Sequence, residues 1–272
     1  MIYFKKLLIM NKVSVMKSEN ELVNEEFQKM LAEIKFVEVD YSSLEEYEEA
    51  AKQGIATAQH ILAKAYYNGV GVVQDYEKAA YWTEKAAKQG LAPAQYNIGL
   101  HYAYGWGIVQ DEEKAVYWYK KAAEQGFALS QGILGWCYGN GEGVEQDEEK
   151  AIYWYKRAAE QGDAYAQTNL GRCYYHGKGV ISNYYGVGVT PDYEKAVYWY
   201  KKAAEQGESY AQNNLGLCYE KGRGVRRSYK KAIYWYKKSL RQGNKLARKN
   251  LNRLYKGVAW LIITILCLIY LL

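Results

Sequence analysis

Three histidines, four cysteines and a recurring glycine-rich segment are the features of this 272-residue sequence that invite a chemical reading. Histidine and cysteine together could hold zinc, which asks for ligands at short, paired spacings. His60, His101 and His176 show no such spacing, and Cys137, Cys173, Cys218 and Cys267 lie far apart. No metal is expected, and the histidines read as packing or surface residues. The glycine-rich segments are Gly69-Val70-Gly71-Val72, Gly105-Trp106-Gly107-Ile108, Gly141-Glu142-Gly143-Val144, Gly177-Lys178-Gly179-Val180 and Gly222-Arg223-Gly224-Val225. Such a segment could cradle a phosphate if a strand preceded it and Gly-Lys-Ser or Gly-Lys-Thr followed. Neither condition is met, so the segments read as turns between helices, and no cofactor is expected.

The elements that carry these residues repeat. Gln-Gly occurs at residues 53, 89, 125, 161, 206 and 242, at spacings of 36, 36, 36, 45 and 36. Trp82, Trp118, Trp154, Trp199 and Trp235 keep the same rhythm. Each unit reads as two helices. The first, exemplified by residues 91–104, places Ala94, Ile98 and Tyr102 on one face through spacings of four. The second starts at a capping residue, Asp75, Asp111, Asp147, Asp192 or Ser228, whose side chain can accept from unpaired first-turn N–H groups. It ends at Gln-Gly, where glycine suits the left-handed position past the last turn. Ala115, Trp118 and Ala122 flank an indole with small residues, so the indole is expected to meet Gly99, Gly135, Gly171 and Gly216 of the first helices.

Composition agrees with a folded repeat protein: 49% hydrophobic and 24% charged residues exclude wholesale disorder, and thirty tyrosines beside two prolines mark a repeated unit. Cys137, Cys173 and Cys218 occupy equivalent places in Leu-Gly-x-Cys-Tyr segments. Neighbouring repeats about 10 Å apart exceed the Cα separation of about 7 Å that a disulfide can bridge. The cysteines therefore read as small packing residues in a reducing compartment.

The run Ala-Gln-x-x-Leu-Gly-x-x-Tyr, then Gly-x-Gly-Val, then Asp-x-x-Lys-Ala-x-x-Trp-Tyr-x-Lys-Ala-Ala resembles the Sel1-like repeat family over residues 41 to 256. The resemblance implies an all-α, right-handed superhelical solenoid of antiparallel helix pairs, related to tetratricopeptide arrays, that acts as an adaptor for protein complexes. Such a fold buries its core only by stacking neighbours. Three segments are expected: 1–40, partly helical or disordered; 41–256, five full repeats with partial ends; and 257–272, a C-terminal apolar helix. Some family members bind or hydrolyse penicillins, and the Ser-x-x-Lys motif of that chemistry occurs as Ser14 to Lys17 and Ser228 to Lys231. Its companions Ser-Asp-Asn and Lys-Thr-Gly are absent, and Ser228 is a helix cap, so no enzymatic activity and no small-molecule substrate are expected.

The expected function is protein-protein interaction. In Tyr117-Trp118-Tyr119 and its equivalents, successive side chains point about 100° apart, so at least one tyrosine column lies outside the core stripe. The candidates are Tyr81, Tyr117, Tyr153, Tyr198 and Tyr234, or Tyr119, Tyr155, Tyr200 and Tyr236. The longer fourth repeat writes its turn twice, around Gly177 and again around Gly186, which implies a protruding loop over residues 181–189.

Charge is uneven along the chain, −4 over residues 1–54, 0 over 55–126, −2 over 127–207 and +12 over 208–256. Basic residues with interleaved tyrosines could bind nucleic acid or anionic lipid. Their restriction to the end beside residues 257–272, a run of sixteen uncharged and mostly aliphatic residues, favours a membrane flank over nucleic acid. Lys245, Arg248, Lys249, Arg253 and Lys256 precede that run, which places the repeats on the cytoplasmic side of a single-pass anchor. At about 1.5 Å per residue the run makes about 24 Å of helix, short of a core about 30 Å thick, so flanking residues must snorkel or the bilayer thin. Otherwise the run is a final capping helix on a soluble cytoplasmic protein, although only Thr264 interrupts its apolar surface.

Overall fold

The computed structural model describes residues 44–177 and 191–270, with side chains as far as Gly257. The expectations for residues 1–40, for the Ser14 motif, for the loop at 181–189 and for the side chains of the apolar run therefore lie outside the described residues. Among the described residues there are twelve helices and no strand. Helix α1 spans Leu44–Lys52 and precedes the first pair, α2 (Ala56–Asn68) and α3 (Tyr76–Lys88). The next pairs are α4 (Ala92–Tyr104) with α5 (Glu112–Glu124) and α6 (Ala128–Asn140) with α7 (Glu148–Glu160). Then come α8 (Ala164–His176) with α9 (Tyr193–Glu205), α10 (Ser209–Lys221) with α11 (Tyr229–Arg241), and a long α12 (Lys245–Tyr270). The chain divides between Asp163 and Ala164 into two compact units. In each, every helix packs on the next, most closely within a pair.

Local chemistry fixes where helices start and stop. The caps expected from sequence are in place: Asp75, Asp111, Asp147 and Asp192 accept from the backbone N–H of the residue three further on at 2.9–3.0 Å, and Ser228 does so at 3.3 Å. Each cap's own N–H donates to the carbonyl of Tyr66, Tyr102, Tyr138, Tyr174 or Tyr219 at 2.8–2.9 Å, which closes the turn between paired helices. The second helix ends in paired reverse bonds. In α5, Gly126 N–H donates to Ala123 O and Phe127 N–H to Ala122 O, with Gly126 at φ +88°.

Those bonds leave polar groups that a glutamine network completes. The amide of Gln131, in the first helix of repeat three, donates to Ala123 O at the end of the preceding second helix at 3.0 Å. Its oxygen accepts at 2.7 Å from Gln161, the capping glutamine of its own repeat, which also donates to Gly126 O at 3.0 Å. Gln212 with Gln242 forms the same links, and Gln95 with Gln125 forms them except for the bond to the glycine carbonyl. A buried amide left without partners costs about 1 to 3 kcal/mol, so each glutamine of the network needs the other. The place of Gln131 is taken in α12 by Arg248, where the network stops.

The contact expected for the helix glycines is corrected by the structure. A Cβ on Gly135 would stand 2.7 Å from Cδ1 of Tyr155, and Gly99, Gly171 and Gly216 meet Tyr119, Tyr200 and Tyr236 in the same way. The partner is thus the tyrosine after the tryptophan. Tyr119 joins Ala115, Ala122 and Ala123 on the buried stripe of α5, whereas Trp118 packs aside, against Ala86, Ala87, Ala94 and Ile98. Repeat one makes the complementary choice. There Ala63 takes the glycine position and Thr83 the tyrosine position, both buried, with the Thr83 hydroxyl donating to Ala79 O at 2.7 Å.

The two ends differ from the repeats in ways the sequence explains. Helix α1 takes the place of a second helix ahead of the first pair, with Ala51 buried against Ala58 and Leu62. Helix α12 begins as a sixth first helix, capped by the Asn244 side chain and burying Ala247, Leu251 and Leu254. Nη2 of Arg253 donates to both oxygens of buried Glu220, at 2.9 Å to each, which locks α12 to α10, and Tyr236 donates to the same carboxylate at 2.7 Å. The other first helices end at Gly69, Gly105, Gly141, Gly177 and Gly222 in left-handed conformation. Val258 stands in that position here, so the stop signal is missing and the backbone stays helical to Tyr270. Among the described residues no helix is long and apolar enough to cross a membrane.

Candidate protein-binding surface

Helical angles demanded that one tyrosine column leave the core, and the structure separates the two candidates. Tyr81, Tyr117, Tyr153, Tyr198 and Tyr234 are 49–54% exposed. Tyr119, Tyr155, Tyr200 and Tyr236 are at most 2% exposed, so this second column is removed as a surface candidate. Its rings fill the space that the helix glycines open.

Each exposed tyrosine is held rather than loose. Its ring meets the neighbouring indole edge to face, with centroids 4.9–5.1 Å apart. One turn further along, a cation lies over the ring: Lys85 on Tyr81 at 4.7 Å, Lys121 on Tyr117 at 5.8 Å and Arg157 on Tyr153 at 5.5 Å in the first unit. In the second unit Lys202 lies 4.8 Å from Tyr198 and Lys238 5.5 Å from Tyr234. The result is a row of three half-exposed aromatic rings in one unit and a row of two in the other, each ring with a positive group beside it. Ordering entropy is already lost before any partner arrives, which favours binding.

The groups considered for chemistry are occupied otherwise. His60 is held down to about 4, first by burial and then by nearby Lys64, so it stays neutral near pH 7. Burial also lowers His101, whose Nδ1–H donates to Trp106 O at 2.6 Å. Burial pushes the Cys137 thiol up and that of Cys218 up to about 12, which keeps both protonated and poorly nucleophilic. Cys137 and Cys218 are free thiols. The Ser228 hydroxyl is engaged as a helix cap. Among the described residues no group of three His, Cys, Asp or Glu side chains could hold a metal ion.

Sequence reasoning passed over the residue between the two turn glycines. Trp106 reaches back to the Tyr67 ring of repeat one, 5.4 Å away, and stacks on Tyr104 of its own repeat at 4.7 Å. In the second unit Arg223 does the same, over Tyr175 and Tyr193 at 5.3 and 5.2 Å, and donates to the Tyr175 hydroxyl at 2.7 Å. In repeat three the residue is Glu142, and the turn there borders an open recess lined by Asp111, Glu112, Glu113 and Glu145. The unequal residues in an otherwise regular column were the available signal.

Helix pairs of constant length, stacked pair on pair within each unit and carrying rows of exposed tyrosines, define a repeat protein of the α-solenoid class. The chain belongs to the Sel1 repeat family, whose model matches five times, at residues 56–91, 92–127, 128–163, 164–208 and 209–244. Among solved structures it is similar to c5321, a protective antigen of uropathogenic Escherichia coli with this repeat fold, at 39% identity and a TM-score of 0.71 over 80% of this chain. The match spans 44% of that antigen's chain, so the present chain covers less than half of it. It is likewise similar to a Sel1 repeat protein of Oxalobacter formigenes, at 37% identity and a TM-score of 0.68, over 79% of this chain and 85% of that one. No curated protein matches the sequence.

Proposed function

We propose that the protein is a non-enzymatic scaffold that holds partner proteins on its exposed tyrosine rows and is tethered to a membrane by residues 257–272. The observation that carries the first part is the half-exposure of Tyr81, Tyr117, Tyr153, Tyr198 and Tyr234 against ordered indoles and cations. Tyrosine has a large apolar body and a polar tip, so a repeated row offers a partner both burial and hydrogen bonds. Serine substitution along the rows, with the partner captured by the unmodified full chain as reference, tests this part. Neither nucleic acid nor a small-molecule substrate is part of the reading.

The tether rests on the uncharged run 257–272 and on the absence of the glycine stop from α12, whose backbone continues as helix through most of that run. Lys245, Arg248, Lys249, Arg253 and Lys256 on the preceding turns favour a cytoplasmic location for the repeats. The full chain should stay with membranes through alkaline carbonate extraction, whereas a chain ending at Lys256 should be released. Equal release of the two would remove the anchor and leave α12 as a cap.

A further inference from the structure

The register of α12 against the fifth repeat decides which end of that repeat faces the membrane, if residues 257–272 anchor the chain as proposed above. Arg253 bonds Glu220, the last residue but one of α10, and Asn250 donates to Asn213 at 2.9 Å. The two helices therefore lie alongside each other with Arg253 level with the end of α10. Just beyond that end comes the turn from Gly222 to Ser228, and beside it the first turn of α11. From Arg253 to Val258 a helix advances only about 8 Å, at about 1.5 Å per residue. No loop separates the packed and apolar parts of α12, so the repeat cannot swing away from the point where the helix leaves it.

This turn is chemically unlike its equivalents. Val73-Gln74-Asp75, Val109-Gln110-Asp111 and Glu145-Gln146-Asp147 occupy the corresponding positions in the first three repeats, and Arg226-Arg227-Ser228 does so here. Lys230 follows where the other second helices carry Glu77, Glu113, Glu149 or Glu194, while Lys231 keeps the lysine that the others have as Lys78, Lys114, Lys150 and Lys195. Helix N-termini favour negative charge, so the three cations peculiar to this turn, Arg226, Arg227 and Lys230, gain nothing from the helix that begins there. Arg226, Arg227, Lys230 and Lys231 are all exposed, as is Lys256 on the adjoining face of α12. Arg223 is held by Tyr175 and serves the fold.

We propose that this basic turn docks on the anionic headgroup layer of the membrane, so that the fifth repeat stands on the bilayer by its turn end. The headgroup zone is about 5 to 8 Å deep and the Debye length in physiological salt about 8 Å. Both distances reach the turn. The opposite end of the repeat, with Lys237, Arg241 and Lys245, lies about 10 to 20 Å back along the helices at about 1.5 Å per residue, beyond a Debye length of about 8 Å, and is screened.

The test uses the full chain and two triple variants of equal charge change. R226Q/R227Q/K230Q alters the turn, and glutamine already stands at the Arg227 position in three other repeats. K237Q/R241Q/K245Q alters the far end. Partition is measured by flotation with vesicles of phosphatidylcholine alone and of phosphatidylcholine mixed with phosphatidylglycerol. The anionic lipid should raise partition of the unmodified chain about tenfold or more. The turn variant should lose most of that gain, and the far-end variant should keep it within about twofold. Equal loss in both variants, or no gain from the anionic lipid, overturns the proposal. So does loss of binding to a short single-stranded RNA in the turn variant without any lipid effect, which would make the patch a nucleic-acid surface. A chain that ignores phosphatidylcholine but is recruited by phosphatidylglycerol through this turn would remove the anchor and leave the docking surface standing.

Discussion

Alanine at Gly143 is expected to destabilise the first unit by about 3 to 5 kcal/mol, combining left-handed strain with a backbone clash. The glycine sits in the turn of repeat three at φ +66°, and a Cβ there would overlap the carbonyl of Glu112 in the preceding repeat. A carbonyl at the start of α5 cannot move aside without shifting the helix. Gly141, two residues earlier, has a similar φ of +71° but would meet Gln146 and the Val144 carbonyl no closer than 3.3 Å. Alanine at Gly141 should therefore cost about 1 to 2 kcal/mol, the strain alone. Thermal or urea unfolding of the two variants checks the difference. Equal losses would mean that the second turn glycine has no role in stacking.

A second large effect is expected inside the repeat. Alanine is intrinsically better than glycine in a helix by about 1 kcal/mol, yet Gly135→Ala should destabilise by about 2 kcal/mol or more because its methyl would press on the Tyr155 ring. Tyr155→Thr alone should cost about 3 kcal/mol by opening a cavity. Together the two changes reproduce the Ala63 and Thr83 pair of repeat one, in which a larger helix residue faces a smaller partner. The double variant should be more stable than the sum of the single losses by at least about 1.5 kcal/mol. Additive losses in a double-mutant cycle would show that the two positions do not share one space.

The sequence made the helices legible because their boundaries rest on local chemistry. Asp111 caps α5 through its own side chain, and Gly126 ends the helix by its own conformational freedom, so neither needs knowledge of the rest of the fold. Partner choice across the core was harder. Trp118 and Tyr119 are adjacent, both large and aromatic, and a shift of one residue decides which of them the helix glycine meets. The same shift decides which tyrosine column is exposed, which is why two columns stood as candidates until the packing was seen. The glutamines were visible as a rhythm, but their pairing at a distance of thirty residues depends on how successive second helices stack. The long C-terminal helix was readable in part. Sequence located a partial repeat at that end and the basic flank, while the locking of Arg253 to Glu220 depends on a contact between residues 33 apart.

The claim on which the functional account turns is that the exposed tyrosine rows bind protein. The direct measurement is affinity for the partner captured by the full chain, compared among that chain, a variant with serine at Tyr81, Tyr117, Tyr153, Tyr198 and Tyr234, and a control with serine at exposed Lys120, Lys156 and Lys201 of the same helices. Half-exposed rings at hot spots contribute on the order of 1 to 2 kcal/mol each, so the tyrosine variant should bind at least about tenfold more weakly while melting like the parent. The control should bind within about threefold of the parent, as rim charges usually do. Unchanged affinity in the tyrosine variant, or equal loss in the lysine control, would contradict the account.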